Sequence, residues 1–231
     1  MDQLLSEERI LFCCQSRLLA AVWVRSELLR QQPEGAQDRM IQDRLVGSCT
    51  TYQEAIALCD GGAPSLLITT QLLEQGTGLD LVVAAKQKLP KLRTLLFLQH
   101  DHRMLLEHAL STHSDGIVLE GEMGSGHVIE AMRTVSKGGF YLEPRIAHEL
   151  HGSLKGHDPG LTDRELEVMQ HVAYGMNDRE IADHLHVATT TVKYHLQRVY
   201  TKLAVRSRTR AAISLVVMGL VEPPRPLLPS D

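Results

Sequence analysis

The chain has 231 residues, room for two domains. No apolar run reaches the roughly 20 residues that a membrane-spanning helix needs, which excludes such a span. Its formal net charge of −4 does not exclude nucleic acid as a partner, because the charges are segregated along the chain.

Residues 1–149 alternate between short apolar runs and helical spacing. Ile10–Cys13 reads as a buried strand and Leu18–Arg30 as a helix. Leu45–Cys49, a strand, precedes a short helix at Tyr52–Cys59, and Leu66–Thr69 is the third strand. Leu79–Lys88 is a helix stopped by Pro90, and Thr94–Leu98 is the fourth strand. Met104–Thr112 is helical, Gly116–Leu119 is the fifth strand, and Gly126–Ser136 is a helix ended by Gly138-Gly139. Five β/α units in alternation imply an α/β fold with a parallel sheet covered on both faces.

Residues 150–160, LHGSLKGHDPG, carry Gly152, Gly156, Gly160 and Pro159, and read as a flexible tether. Beyond it, residues 161–222 are helical throughout. Thr162 stands three before Glu165, and Asn177 three before Glu180, so each pair can form a capping box. Thr189 is expected to supply the side-chain acceptor that starts the next helix. On that helix Val192, Leu196, Val199 and Leu203 form one apolar stripe, with Lys193, Tyr194, Gln197 and Thr201 opposite. Any amphipathic surface helix has a polar face, so the stripe alone does not decide its use. Charge order does more. Asp158–Asp183 holds seven acids against two bases, whereas Val192–Arg210 holds six bases and no acid. A base-only run beginning on a helix with a polar front is the footprint of a phosphate-facing surface. The last helix, Thr209–Met218, shows Ala212, Leu215, Val216 and Gly219 at close-packing spacing, and residues 223–231 form a proline-rich tail.

The stretch from Leu161 to Leu220 resembles the DNA-binding domain of the LuxR/NarL/FixJ class of bacterial transcription regulators. The motifs that carry this are the Leu-Thr-x-Arg-Glu opening, Gly175, Glu180–Ala182, Thr191–His195, Lys202-Leu203 and Val205–Arg208. The resemblance implies sequence-specific binding of double-stranded DNA by an all-α helix-turn-helix domain working as a homodimer, with RNA polymerase as a further candidate partner. By position, Lys193, Tyr194 and Gln197 would read base edges, Gln197 against adenine and the Tyr194 ring against a thymine methyl. Thr190, Thr191, Lys202, Arg206 and Ser207 would meet phosphate oxygens. His195 is placed either as a packed structural residue or at the DNA backbone. Ala212, Leu215 and Val216 would form the dimer contact, while part of the same face closes the small helical core.

Residues 9–145 more diffusely resemble the flavodoxin-like, doubly wound receiver domain of response regulators. The matching segments are LVGSCTTYQEAI, Gly78-Leu79, SDGIVLEGE and KGGFYLEP, the last read as the segment leaving the receiver. A receiver of this kind gathers acids for a divalent cation, a phosphoaccepting Asp, a Thr or Ser, and a Lys. Here the acidic pair falls on Cys14 and Gln15, the phosphoacceptor place on Thr70, the Thr place on Leu98 and the Lys place on Glu120. A neutral hydroxyl cannot form the acyl phosphate, and Glu120 would repel a phosphoryl group. No acid lies between Ile10 and Arg17 or between Pro64 and Gln71. The expectation is therefore a pseudo-receiver that is not phosphorylated, acting as a dimerising platform, or as a cover lifted by a ligand, a redox event or a partner. The alternative is a receiver-fold adaptor that has lost DNA binding, against which the intact Thr191, Lys193 and basic run stand.

No catalytic site, cofactor or metal is expected. Four cysteines without a secretory leader fit reduced thiols in a cytoplasm, and none has zinc-site spacing. Cys14, at the mouth of the sheet, is the one candidate for redox or metal chemistry, with Cys13, Cys49 and Cys59 structural. The pairs His100/His102, His148/His151 and His184/His186 read as surface histidines. Gly121–Gly126 reads as a loop, not as a nucleotide-binding motif.

Overall fold

The computed structural model describes residues 8–16, 45–122, 126–150 and 158–222. The helix expected at Leu18–Arg30, most of the tether and the tail lie outside these residues. By its contacts the chain divides into two compact units, Met1–Gln99 and His100–Asp231.

The first unit contains β1 (Ile10–Cys13), β2 (Leu45–Cys49), α1 (Tyr52–Gly62), β3 (Leu66–Thr70), α2 (Gly78–Lys88) and β4 (Arg93–Leu98). β1 pairs in parallel with β2 on one side and β3 on the other, and β3 pairs in parallel with β4. Leu11, Leu66, Leu67, Ile68, Leu95 and Leu96 are wholly buried, as continuous apolar runs covered on both faces must be. Each such side chain contributes about 1.5–3 kcal/mol on burial. Helix starts are fixed locally, Thr51 accepting from the Glu54 N–H and Thr77 from the Asp80 N–H. Gly78 is required by close approach, since a Cβ there would lie 2.0 Å from the Thr70 carbonyl oxygen.

The second unit holds α3 (Arg103–Ser111), β5 (Gly116–Leu119), a 3-10 turn (Glu120–Glu122), α4 (His127–Ser136), β6 (Tyr141–Leu142) and α5 (Pro144–Leu150). Four further helices follow, α6 (Asp163–Ala173), α7 (Asp178–His184), α8 (Thr189–Lys202) and α9 (Arg208–Val217). β5 and β6 pair in parallel, Gly116 with Tyr141 and Ile117 with Leu142. The buried Glu143 then accepts from the Leu119 N–H at 2.6 Å.

The six strands run in the order β2-β1-β3-β4-β5-β6, parallel in the β1–β2, β1–β3, β3–β4 and β5–β6 pairings, which is the flavodoxin-like arrangement with one strand more than expected. KGGFYLEP is therefore part of the sheet and not only an exit segment. Its two-residue strand is too short for any hydrophobic period to show in sequence. Among the described residues no helix is long and apolar enough to cross a membrane.

Candidate nucleic-acid interface

Both capping boxes form. Thr162 and Glu165 exchange side-chain and backbone hydrogen bonds at the start of α6, and Asn177 and Glu180 do so at the start of α7. The expected cap at Thr189 does not form. Ala188 holds the extended N-cap conformation, and Thr189 is already the first helical residue, so its hydroxyl is past the point where it could cap.

The four helix ends share one device. In each, the second residue beyond the helix cap donates its N–H back five residues: Met176 to His171, Val187 to Ala182, Val205 to Tyr200 and Leu220 to Leu215. The residue before each donor is left-handed, namely Gly175, His186, Ala204 and Gly219. This closes the turn between α7 and α8 in a fixed form and sets α8 at a defined angle.

On α8, Val192 and Val199 are wholly buried and Leu196 is nearly so, while Leu203 is half-buried. Lys193, Tyr194, Gln197 and Thr201 are exposed, Tyr194 to 56 %. The three residues assigned to base edges thus share one open face. Of those assigned to phosphates, Thr190 and Arg206 are exposed and Thr191 is half-buried. Ser207 is the N-cap of α9, its hydroxyl accepting from the Arg210 N–H. Lys202 is also engaged within the chain, donating to Glu165 Oε2 at 2.6 Å and to the Gly160 carbonyl at 2.8 Å.

Glu165 is the centre that sequence reasoning missed. It is 1 % exposed and receives the N–H of Thr162, the ammonium of Lys202 and the Arg198 Nε, the last at 3.2 Å. Burial alone would raise its pKa, but the hydrogen bonds from Lys202 and Thr162 outweigh that and hold it at about 2. The capping box marked Glu165 in sequence; its partners 33 and 37 residues away left no local signal. Arg198 goes on to donate to the Tyr194 hydroxyl at 2.9 Å. Arg208 donates to Asp178 and to the Met176 carbonyl, tying the start of α9 to the start of α7. Three of the six bases in the run are therefore bound to the domain itself, and Lys193, Arg206 and Arg210 stay exposed.

The His195 ring is half-buried, with its Nδ1 lacking a hydrogen-bond partner, and meets Tyr194 edge-on at 5.6 Å. His184 pairs with His171 across 4.5 Å and not with His186, and burial with His184 nearby lowers the His171 pKa. No metal-binding cluster occurs among the described residues. Ala212, Leu215 and Val216 are all buried within the chain, α9 packing on α6, α8 and α5.

At the strand ends of the first unit, Cys14 is buried with its thiol donating to the Ser16 carbonyl, and Gln15 is exposed. Thr70 closes β3 with its hydroxyl donating to the Leu72 carbonyl at 2.8 Å. Leu98 is wholly buried inside β4; the exposed residue at that end is Gln99, whose N–H donates to the Gln71 side chain. In the second unit Glu120 is half-buried and opens the 3-10 turn after β5. All four cysteines are buried and unbridged. The Cys13 thiol is pushed far up by its hydrogen bond to Cys49 and by burial, and burial raises Cys59 to about 11, so neither is a ready thiolate at neutral pH.

Residues 159–215 match the family model described as bacterial regulatory proteins, luxR family. The chain is 28 % identical over 190 residues to the transcriptional regulatory protein LnrK of Bacillus subtilis, covering 76 % of this chain and 86 % of that protein. It is 27 % identical over 181 residues to the response regulator protein VraR of Staphylococcus aureus, covering 77 % and 86 %. The fold is shared with the RcsB response regulator of Salmonella typhimurium, with a TM-score of 0.52 at 19 % identity over 90 % of this chain and 98 % of that one. It is shared too with RcsB in a structure of two dimers bound to two parallel DNAs, with a TM-score of 0.53 at 18 % identity over 93 % and 98 %. The chain thus carries a luxR-family match at residues 159–215 and is similar to transcriptional regulatory and response regulator proteins along most of its length.

Proposed function

We propose that the chain binds a specific DNA sequence as a homodimer in the cytoplasm, and that residues 1–149 regulate it without aspartyl phosphorylation. Residues 161–222 are the DNA-binding part, joined by 150–160 and followed by the tail 223–231. One arrangement carries the reading: Lys193, Tyr194 and Gln197 lie on the open face of a helix whose back is buried and whose entry turn is locked. Lys193 and Gln197 are assigned to base edges with Tyr194, and Thr190, Thr191 and Arg206 to phosphates. Selection of bound sequences from a random DNA pool by the full chain tests it. A defined, two-fold symmetric site is expected, and an unenriched pool would refute it.

Phosphorylation independence rests on the residues at the strand ends. Cys14, Gln15, Thr70 and Glu120 offer no acid pair, no aspartate and no lysine at the places the resemblance assigns. Leu98 adds no hydroxyl at its place. A small phosphoryl donor with Mg²⁺ should add no mass to the protein; an acid-labile phosphorylated product would refute the idea.

A second reading, a self-covered regulator, is favoured by one observation. Ala212, Leu215 and Val216, the proposed dimer contact, are buried within the chain, and α9 packs on α5 as well as on α6 and α8, so pairing through α9 in this reading requires α5 to move off it. In the same unit the backbone of Gly139 lies against Gly175, where a Cβ on Gly139 would fall 2.3 Å from the Gly175 Cα. If this packing restrains DNA binding, Gly139→Ala should raise the affinity of the full chain for its selected site. Unchanged affinity would leave residues 1–149 as a fixed platform.

A further inference from the structure

Arg198 belongs by sequence to the basic run, and a cation near DNA is ordinarily assigned to phosphate. Its surroundings say otherwise. Its Nε donates to Glu165 Oε1 at 3.2 Å, and that carboxylate is anchored in turn by Lys202 and by the Thr162 N–H. Its NH1 donates to the Tyr194 hydroxyl at 2.9 Å, with the guanidinium carbon 5.7 Å from the centre of the Tyr194 ring. Arg198 and Tyr194 are four apart on α8 and so lie side by side on its surface. The guanidinium is thus clamped at its inner edge by a buried anion and spends an outer nitrogen on a tyrosine on the open face.

The chemical consequence falls on Tyr194. Guanidinium has donors only, so in this contact the tyrosine oxygen must be the acceptor. Its own proton then points away from Arg198, and a cation donating into the oxygen makes that proton a stronger donor. In the major groove guanine offers N7 and O6, adenine N7 and thymine O4 as acceptors, whereas cytosine offers the N4 amino donor.

We propose that Arg198 is a positioning residue for base reading, which fixes the Tyr194 hydroxyl as a donor so that Tyr194 selects an acceptor-bearing base and rejects cytosine. This rests on the assignment of α8 as the base-reading helix. It also replaces the ring-on-methyl contact expected for Tyr194 with a hydrogen bond.

The test measures affinity of the full chain for its selected site and for all four bases at each half-site position, at one fixed salt. Wild type, Tyr194→Phe, Arg198→Gln and the double variant are compared. The wild type should disfavour cytosine at one position by roughly tenfold or more. Tyr194→Phe should erase that preference and leave the other positions as they were. Arg198→Gln should weaken it at the same position, and the double variant should look like Tyr194→Phe. The slope of log affinity against log salt should be the same for wild type and Arg198→Gln. A uniform loss at every base, with that slope reduced by about one phosphate contact, would make Arg198 a phosphate ligand and overturn the proposal. So would a base profile unmoved by Tyr194→Phe. If Arg198→Gln loses its helical circular dichroism, Tyr194→Phe, which removes one hydroxyl and no packing, decides alone. If Lys193→Ala and Gln197→Ala also leave every position unchanged, the assignment of α8 has failed, and not merely the bracing.

Discussion

The ends of the strands in residues 1–99 and the front of α8 are both exposed edges of well-packed elements, yet their side chains are used in opposite ways. At the strand ends Thr70 bonds the Leu72 carbonyl, Gln71 receives the Gln99 N–H, and Thr50 donates to Glu74 at 2.6 Å. These polar groups are absorbed by neighbouring loops. On α8, Lys193 and Gln197 point outward from a helix held by other residues, Arg198 and Lys202 through Glu165 and Arg208 through Asp178. A surface whose polar side chains close on one another is finished as it stands. One whose anchoring is delegated to a second set of residues keeps its front available for a partner.

The largest effect that would break this contrast comes from the anchor itself. Glu165→Ala removes the shared acceptor of two partly exposed cations and half of the α6 capping box, and should cost about 2 kcal/mol of stability in urea unfolding. The same group sets the acid response. Its carboxyl titrates at about 2 in the folded chain against an ordinary value of 4.5. Its contribution is therefore whole above about pH 4.5 and is lost as pH falls toward 2. Glu165→Gln should flatten that part of the stability–pH curve; an unaltered curve would mean the carboxylate holds nothing. In the sheet, Gly78→Ala drives a methyl into the Thr70 carbonyl and should cost about 1–3 kcal/mol.

Lys193 and Lys202 sharpen the comparison, being nine residues apart on one helix with different duties. Lys193→Ala should weaken binding to the selected site by about 1–3 kcal/mol and leave the unfolding midpoint within error. Lys202→Ala should lower the midpoint. If the two behave alike, the split between anchor and front is wrong. The smallest effect is expected at the α7 start, where Asn177→Ala removes a cap worth about 1 kcal/mol.

The division between anchors and front was only partly legible in the chain. Periodicity located the strands and helices of the described regions, because buried runs such as Leu66–Thr70 and stripes such as Val192–Val199 repeat at the pitch of their element. β6 escaped, since two residues have no period, and α5 escaped because Pro144–Leu150 merges into a glycine-rich stretch. The base run was visible, but its sorting was not. Whether a lysine faces DNA or a buried carboxylate depends on a glutamate 37 residues earlier, and only the folded chain brings the two together. The missed cap at Thr189 has a similar origin. Three threonines in a row offer three equally good acceptors, and the extended backbone at Ala188 moves the boundary one residue upstream.

The left-handed turns that end α7 and α8 leave a margin for redesign. Two of the four helix ends in this region place His186 and Ala204, not glycine, at φ +53°. A side chain in that conformation costs roughly 1 kcal/mol against glycine. Ala204→Gly relieves it at a residue that itself has no assigned role in DNA contact, two positions before Arg206. The mutation needs no new contact to succeed, and it should add to other stabilising changes made at a distance. The module as it stands is thus short of the thermal tolerance its own geometry permits.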